Sequence, residues 1–294
     1  MENNSYPSLF IASDEESNSS QKYYTRLFLA DLYCIISAAL LTVYSFSMED
    51  ELRWIYIVSA ILLISSISIT IVLKAKEFES TWYKARALAE SCKTLTWRFM
   101  TCSESFEIDL SKEEVQNIFL KRLQDLKDEF SDLNKVLDSN TLSKPLITNE
   151  MKKNRESELT ERKKFYLENR IINQKKWYSK EAKKNKKRYN QWFFIVLISQ
   201  LLALGYVIFL ISNPTTNLNL VGLFTTIASS AISWLQVKKH QELKQAYTTT
   251  IQDLSFIEAK YESIDTENKF SKFVLDAENA FSREHTTWVA QRRG

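Results

Sequence analysis

The chain has 294 residues, of which 45% are hydrophobic and 26% charged, and its net charge is only +3. Just three glycines and three prolines occur, which excludes a loop-rich fold and indicates a chain that is almost entirely helical. The cysteines Cys34, Cys92 and Cys102 form no CxxC pair and no even-numbered set. The sequence therefore predicts neither a disulfide framework nor a zinc site, and it fits a reduced cytoplasmic setting.

The first 21 residues are rich in serine, asparagine and acidic residues, most of all in the SDEESNSS stretch of residues 13–20. Such a composition buries too little apolar area to offset the entropy lost on ordering. We therefore predict a flexible N-terminal tail over residues 1–21. A secretory signal is not indicated, because acidic rather than basic residues precede the first apolar segment.

Four apolar segments follow, in two pairs. Residues 27–47 contain a single charge, Asp31, and residues 54–73, 192–212 and 218–237 contain none. About 20 apolar residues, at a rise of about 1.5 Å each, cross the roughly 30 Å hydrocarbon core of a bilayer. The sequence thus predicts four transmembrane helices that form two hairpins.

Basic residues flank the outer ends of both hairpins. Lys22 and Arg26 precede the first hairpin and Lys74 and Lys76 follow it, whereas its connecting loop, MEDELR at residues 48–53, is mostly acidic. The second hairpin is preceded by a dense basic cluster and followed by further lysines, and its loop NPTTN is uncharged. The positive-inside rule therefore predicts that both termini are cytoplasmic.

The two hairpins are related by a fixed offset. Adding 164 to the first pair of spans gives residues 191–211 and 218–237, which coincide with the second pair within one residue. Identical residues also recur at this offset, including Ser66 with Ser230 and Lys74 with Lys238. Such self-similarity indicates a tandem duplication in which both copies have the same topology.

The polar segments predict amphipathic helices. Residues 74–101 lack Gly and Pro and space apolar side chains by four and three, which indicates a helix that continues from the second span. Another helix is predicted to begin at Ser111, where Glu114 completes an S-x-x-E capping box. Residues 149–204 predict one long helix, with a break near residues 169–173 as the alternative. These helices would pack within the chain or between identical chains.

The clearest linker is DSNTLSKPLIT at residues 138–148, which contains Pro145. It separates a first two-span domain, residues 22–137, from a second, residues 149–294. The predicted fold class is an all-α membrane protein, with four transmembrane helices as two tandem helical hairpins and long cytoplasmic amphipathic helices forming a bundle.

Three motifs resemble a known family. They are WYKARALAES at residues 82–91 with Trp97 and Arg98, YLENRIINQKKWY at residues 166–178, and FSREHTTW at residues 281–288. Together they resemble tandem SLATT domains, two-span bacterial membrane domains found beside nucleotide-signalling defence genes. The motif positions are Trp82, Arg86, Glu90, Trp97, Arg98, Arg170, Gln174, Trp177, Tyr178, Arg283, Glu284, His285 and Trp288.

The resemblance implies a function at the bacterial inner membrane. It implies an oligomeric effector that forms pores or disrupts the membrane when a defence or nucleotide signal arrives. A signalling nucleotide or a sensor protein would then be a partner, besides lipids and further copies of the chain. No catalytic residue is implied.

Several polar residues lie within the predicted spans. Asp31 is interpreted either as an interfacial carboxylate held by water, Lys22 or Arg26, or as part of a cation-attracting ring in an oligomer. Small hydroxyl residues form stripes on the second and fourth spans, where they favour either close helix packing or a pore wall. These residues are Ser59, Ser66, Thr70, Thr225, Ser229 and Ser233.

Eight basic residues precede the third span. We interpret them as a topology signal that also contacts anionic lipid headgroups, at about 1 kcal/mol for each side chain. Nucleic-acid binding is the less favoured interpretation, because no recognised binding module accompanies the charge. The residues are Lys175, Lys176, Lys180, Lys183, Lys184, Lys186, Lys187 and Arg188.

Enzymatic motifs are missing from the sequence. His240 and His285 are its only histidines, and no H-E-x-x-H, G-x-S-x-G or P-loop pattern occurs. We therefore predict a non-enzyme without a cofactor, metal site or catalytic residues. Two functions remain open, a regulated pore or membrane-disrupting effector, and a membrane-anchored scaffold that recruits a partner without conducting.

Overall fold

The structure is a computed structural model that describes the backbone of residues 5–47 and 53–293 and the side chains of residues 5–44 and 54–282. Within these ranges every regular element is helical, so the all-α prediction is confirmed. The α-helices are α1 (Ser8–Ser47), α2 (Arg53–Lys76), α3 (Phe78–Met100), α4 (Lys112–Glu129), α5 (Ser139–Leu142), α6 (Asn149–Glu156), α7 (Leu159–Tyr166), α8 (Asn173–Ser212), α9 (Val221–Lys238), α10 (His240–Glu258) and α11 (Glu267–Arg293). Two 3-10 helices, Ser131–Lys135 and Tyr261–Ser263, and a π-helix, Leu167–Ile172, complete them.

The chain forms two compact units, and each unit draws on both halves of the duplicated sequence. Unit 1 comprises Met1–Gln21, Glu79–Lys183 and Leu243–Gly294, and unit 2 comprises Lys22–Phe78 and Lys184–Glu242. Unit 2 holds the apolar segments, whereas unit 1 holds most of the charged amphipathic helices. The hairpins of the two copies thus contribute to one unit, and the amphipathic helices of the two copies contribute to the other.

The N-terminal residues pack into unit 1, so the predicted flexible tail is wrong for the part that the structure describes. Helix α1 begins at Ser8, and Tyr6 and Phe10 are among the buried core residues. The backbone N–H of Ser8 donates to the carbonyl oxygen of Pro145 at 3.2 Å. The composition gave a wrong prediction because several of these serine side chains are buried. The Ser13 hydroxyl, for example, donates to the carbonyl oxygen of Leu9 at 2.7 Å.

An aromatic core holds unit 1 together. Phe99, Phe106 and Phe119 form a triangle with ring centroids 4.8 to 6.0 Å apart, and Trp97 packs edge-on against Tyr166 at 5.6 Å. Because aromatic side chains bury large areas and prefer such tilted and edge-to-face pairs, this core fixes α3 against α4 and α7.

Helix boundaries are partly as predicted. The capping box at Ser111 is confirmed, since the Ser111 hydroxyl accepts from the Glu114 N–H while the Glu114 carboxylate accepts from the Ser111 N–H. The helix predicted to continue from the second span is interrupted at Glu77, whose φ is 47°. Lys239 interrupts the second copy with the same φ. Both residues have a left-handed backbone conformation, which is most common at Gly and Asn. Because neither is Gly or Asn, the sequence did not predict these helix breaks.

The long helix predicted for residues 149–204 is divided. It is broken between α6 and α7 at Ser157, whose backbone is extended with φ −70° and ψ 158°. Near residues 169–173 the chain does not break but widens into the π-helix Leu167–Ile172. Insertions of this kind are rare and are often found at functional sites.

Unit 2 packs around the tryptophans of its second hairpin. The ring of Trp234 on α9 lies 5.7 Å from Trp192 on α8 and 6.4 Å from Phe28 on α1. The Lys238 ammonium donates to the Thr25 hydroxyl at 3.2 Å. Helix α9 therefore packs against one helix of each hairpin.

Three helical runs in the described part of the chain are long and apolar enough to cross a membrane: Ser8–Tyr44, Trp54–Met100 and Leu159–Ser212. They contain three of the four predicted spans. The fourth predicted span, residues 218–237, overlaps α9, which begins only at Val221, has 18 residues and is not among these runs. Its mean hydropathy is lowered by hydroxyl side chains, by Gln236 and by the charged Lys238 at its end.

Candidate functional site

The most deeply buried charges of unit 1 form an ion pair between the π-helix and α11. Arg170 is 1% exposed and Glu278 is fully buried. Two parallel hydrogen bonds join them, from Arg170 Nε to Glu278 Oε1 at 2.9 Å and from Arg170 Nη2 to Glu278 Oε2 at 2.7 Å. Such a bidentate arrangement is the strongest geometry that an arginine and a carboxylate can adopt.

Two further donors complete the coordination of the Glu278 carboxylate. The Tyr166 hydroxyl donates to Oε1 at 2.8 Å, and the Thr94 hydroxyl donates to Oε2 at 2.9 Å. On its other side the Arg170 guanidinium lies 4.1 Å from the centroid of the Phe281 ring, within cation–π distance. A buried ion pair is tolerated only when its remaining hydrogen-bonding capacity is met, and here four donors serve two oxygens.

Two more buried arginines hold the end of α3. Arg155 donates to the carbonyl oxygens of Phe99 at 3.1 Å and Phe106 at 2.7 Å, and burial lowers its pKa. Arg162 donates to the carbonyl oxygen of Thr101 at 3.1 Å. The last carbonyl groups of a helix have no partner within it, so these guanidinium groups act as caps. Their role is structural.

A cleft opens beside the buried ion pair, between α3, α4 and α11. Its volume is about 330 Å³, and it is lined by charged side chains that include Arg98, Arg122 and Asp125. Thr94 and Phe281 also line it, and both touch the ion pair. The cleft and the Arg170–Glu278 pair therefore share two side chains.

Unit 2 contains a polar contact of a different kind. The Ser66 hydroxyl on α2 donates to Asp31 Oδ1 on α1 at 2.5 Å, which joins the two helices of the first hairpin. The second hairpin has no equivalent, because the position 164 residues after Asp31 is Ile195. The predicted contacts of Asp31 with Lys22 or Arg26, and its predicted role in an ion path, stay predictions.

The structure divides the predicted hydroxyl residues into two groups. Ser59 and Ser66 are buried, whereas Thr70, Thr225 and Ser229 are exposed and Ser233 is half-buried. Thr225 and Ser233 donate to carbonyl oxygens of their own helix, at 3.0 Å in each case. Such back-bonding satisfies a hydroxyl without a second helix. Only the buried group is therefore engaged in packing between helices of one chain.

Two family models match the chain in tandem. Residues 7–163 match SMODS and SLOG-associating 2TM effector domain 3, and residues 166–288 match SMODS and SLOG-associating 2TM effector domain 1. The chain belongs to the SLATT family. The two matches meet in α7, beyond the predicted linker at residues 138–148, whose role as a domain boundary stays a prediction. No curated protein and no solved structure matches the chain.

The SLATT motif residues gather in unit 1 around the ion pair. Arg170 is itself a motif residue, Trp97 packs 6.0 Å from its guanidinium, and Arg98 donates to Asn279 Oδ1 at 3.0 Å. The motif pair Arg86 and Glu90 forms a salt bridge of 2.7 Å.

The remaining motif positions differ in burial, and four of them have side chains outside the described residues. Trp82 and Tyr178 are buried, Gln174 is half-buried and Trp177 is exposed. The side chains of Arg283, Glu284, His285 and Trp288 lie outside the described residues.

The basic residues before the third span divide between the units of this SLATT protein. The residues up to Lys183 belong to unit 1, and Lys175 forms an ion pair with Glu258 there. Within unit 2, Lys187 lies about 8 Å along α8 from Trp192, at a rise of about 1.5 Å per residue. The headgroup layer is only about 7 Å thick on each side. Contact of the eight basic residues with anionic lipid headgroups stays a prediction.

Sequence reasoning missed Glu278, Thr94 and Tyr166 as partners of Arg170. One signal was present, because Glu278 stands among the apolar positions Val274, Ala277 and Phe281 of α11. An acidic residue within an apolar stripe requires a buried cation, which a search for charges on the facing helices would have identified.

Proposed function

We propose that this SLATT protein is a non-enzymatic effector of the bacterial inner membrane, which assembles into homo-oligomers and opens a pore or disrupts the membrane. A defence or nucleotide signal would trigger it. The observation that carries the proposal is that both halves of the chain match two-transmembrane effector domains. The three long apolar helical runs support it.

In the proposed topology four spans place both termini in the cytoplasm. Helix α9 would be the fourth span despite its hydroxyl groups. The hydroxyls of Thr225, Thr226 and Ser233 all donate to carbonyl oxygens of α9, so they need not remain unsatisfied in lipid. Basic residues at the outer ends of both hairpins support the orientation.

Asp31 is the proposed functional group within the membrane. Each subunit would contribute one carboxylate, held by Ser66 between α1 and α2 in the described state. A rearrangement of these helices would release Asp31 from Ser66 and turn it towards a shared axis. A ring of such carboxylates would attract cations and repel anions.

A flux assay in liposomes tests this proposal. Purified protein should release a trapped ionic dye, and bacterial expression should admit a membrane-impermeant dye. Asp31→Asn, which keeps the shape but removes the charge, should lower the preference for cations over anions several-fold. Ser68→Ala is the matched control, because Ser68 is exposed on α2 and donates only to Ile64 of its own helix, at 2.8 Å.

Two outcomes would contradict the proposal. Selectivity that is unchanged in Asp31→Asn would remove Asp31 from the conducting path. Liposomes that stay sealed, together with expression that leaves the membrane intact, would instead favour the membrane-anchored scaffold.

A further inference from the structure

The cleft of unit 1 has the properties of a small-molecule site. Its volume of about 330 Å³ lies at the lower end of the range in which proteins bind small ligands, about 300 to 1,000 Å³. Leu95, Leu126 and Phe281 form apolar parts of its wall, and hydroxyl and charged side chains surround them. A mixture of apolar surface and a few convergent polar groups is typical of ligand pockets.

Arg98 indicates that the cleft would bind a negatively charged group. Its Nη2 is fixed by Asn279, but its Nε is buried and has no hydrogen-bond partner among the described residues. A buried donor without an acceptor is unfavourable, and a ligand in the cleft could supply that acceptor only once the Arg98 side chain turns its Nε towards the cleft. Because that donor belongs to a guanidinium, an anionic acceptor fits it best.

A second arginine and three carboxylates also line the cleft, and one of these carboxylates, Glu90, is paired with Arg86. Arg122 on α4 lines the same cleft, and it makes no ion pair with any described side chain. Asp125 and Glu129, also on α4, likewise remain without an ion-pair partner among the described residues. Two guanidinium groups suit a phosphate, for which arginine has a matching fork of donors. Carboxylates on the same wall suit hydroxyl groups, as in proteins that hold a ribose.

We propose that this cleft binds a small phosphate ester that carries hydroxyl groups, with its phosphate at Arg98 and Arg122 and its hydroxyls at Asp125 and Glu129. The inference rests on the proposed function, because the ligand would be the signal that the effector reads. Binding would act on the buried ion pair directly, since Thr94 and Phe281 belong to both.

Direct binding to the full-length protein in detergent tests the inference. The probes are inorganic phosphate, glucose 6-phosphate and adenosine monophosphate, measured by titration calorimetry. Saturable binding of either ester, tighter than that of phosphate, supports the site. Preference for the nucleotide would add a base contact at Phe281, whereas equal binding of both esters would limit recognition to phosphate and hydroxyls.

Variants of α4 assign the binding to the cleft. Arg122→Gln should weaken binding at least about tenfold, since it removes a charge-assisted contact to phosphate. Arg122 is exposed, so the fold should persist, and Arg98→Gln serves as the second variant. Lys121→Gln is the matched control, because it neutralises an exposed charge one position away that does not line the cleft.

The inference is overturned if neither ester binds, if phosphate alone binds as well as the esters, or if Arg122→Gln and Lys121→Gln have the same affinity. This assay needs no conduction, so it separates the two proposals. A protein that binds an ester but leaves liposomes sealed contradicts the proposed function alone. A protein that conducts but binds none of the probes contradicts the ligand site alone.

Discussion

The two units bury polar groups of different kinds. Unit 1 buries complete charges, namely Arg155, Arg162, Arg170 and Glu278. Unit 2 buries hydroxyls and one imidazole, that of His240, whose Nδ1 lies 2.6 Å from Asn185 Oδ1, and its Ser66 donates to the half-buried carboxylate of Asp31 across the first hairpin. A full charge in a protein interior needs ion-pair or hydrogen-bond partners, and a bundle with several converging helices offers many of them. A hairpin of two helices offers few, so it holds few charges.

The outer surface of unit 2 exposes large apolar side chains. On α2 of unit 2, Ile61, Ile64 and Ile71 are 57 to 62% exposed, as is typical of a lipid-facing helix. Its interior is built from small residues such as Ala38 and Ala231, which let helices approach where no hydrophobic effect drives them together. The comparison shows that unit 1 has buried charges, as in a helical bundle in water, whereas unit 2 has exposed apolar side chains, as in a helical protein in lipid. Each unit nevertheless combines segments from both halves of the sequence.

The largest expected effect comes from breaking the ion pair of unit 1. Glu278→Ala leaves Arg170 buried without its carboxylate, and it also removes the acceptor of Tyr166 and Thr94. We expect the free energy of unfolding to fall by about 3 to 5 kcal/mol. Thermal and denaturant unfolding in one detergent, followed by circular dichroism, would measure it.

A surface pair supplies the control for this prediction. Glu258→Ala removes the partner of Lys175, which is only partly buried, and should cost less than about 1 kcal/mol. Replacing both partners, Arg170→Met with Glu278→Leu, should recover much of the loss, because no unpaired charge remains. Equal losses for Glu278→Ala and Glu258→Ala would contradict the account of unit 1.

The next effect concerns the N-terminal segment of unit 1. Burial raises the pKa of Tyr6 from 10.0 to about 12, an effect that the nearby Arg170 charge partly opposes. The folded state therefore holds the phenol proton more tightly than the unfolded state does. Its contribution is complete below pH 10 and is lost as the pH rises from 10 to 12. A shift of two units corresponds to about 3 kcal/mol.

Tyr6→Phe keeps the ring and abolishes this titration. The stability of the wild type should therefore fall relative to the variant between pH 10 and 12, whereas their difference should be constant below pH 9. Unfolding curves across this range would measure the difference. If the N-terminal segment were a flexible tail, Tyr6 would titrate near pH 10 and the two proteins would respond alike.

Sequence patterns predicted much of the local structure. Apolar length located the spans that lie in α1, α2 and α8, and the Ser111 box located the start of α4. These features depend on neighbouring residues alone. The SLATT motifs include Arg170, Trp97 and Arg98, but the motifs alone predicted no contact among these residues.

The missed features depend on residues far apart in the chain. Residues 8–21 are ordered because Pro145 and other distant residues contact them, which composition does not show. The left-handed breaks at Glu77 and Lys239 occur at residues without a turn preference. The partner of Arg170 is Glu278, 108 residues away, so spacing could not identify it.

The smallest expected effect comes from a comparison of equivalent buried serines in the two hairpins. Ser66 and Ser230 are equivalent at the 164-residue offset, and both are buried. They differ in what faces them, because only the first hairpin has an acidic residue at the position of Asp31. The two hairpins therefore share the hydroxyl position and not the charge.

Alanine at each serine would show what the charge adds. Ser66→Ala removes the donor that Asp31 accepts from, so we expect a loss of about 1 kcal/mol, within the range of hydrogen bonds between membrane helices. Ser230→Ala removes no carboxylate partner and should cost a smaller amount. Unfolding of both variants in one detergent, with Ser68→Ala as the exposed control, measures the difference. Equal losses at Ser66 and Ser230 would mean that the Asp31 contact adds no stability, and that the carboxylate is retained for another reason, such as conduction.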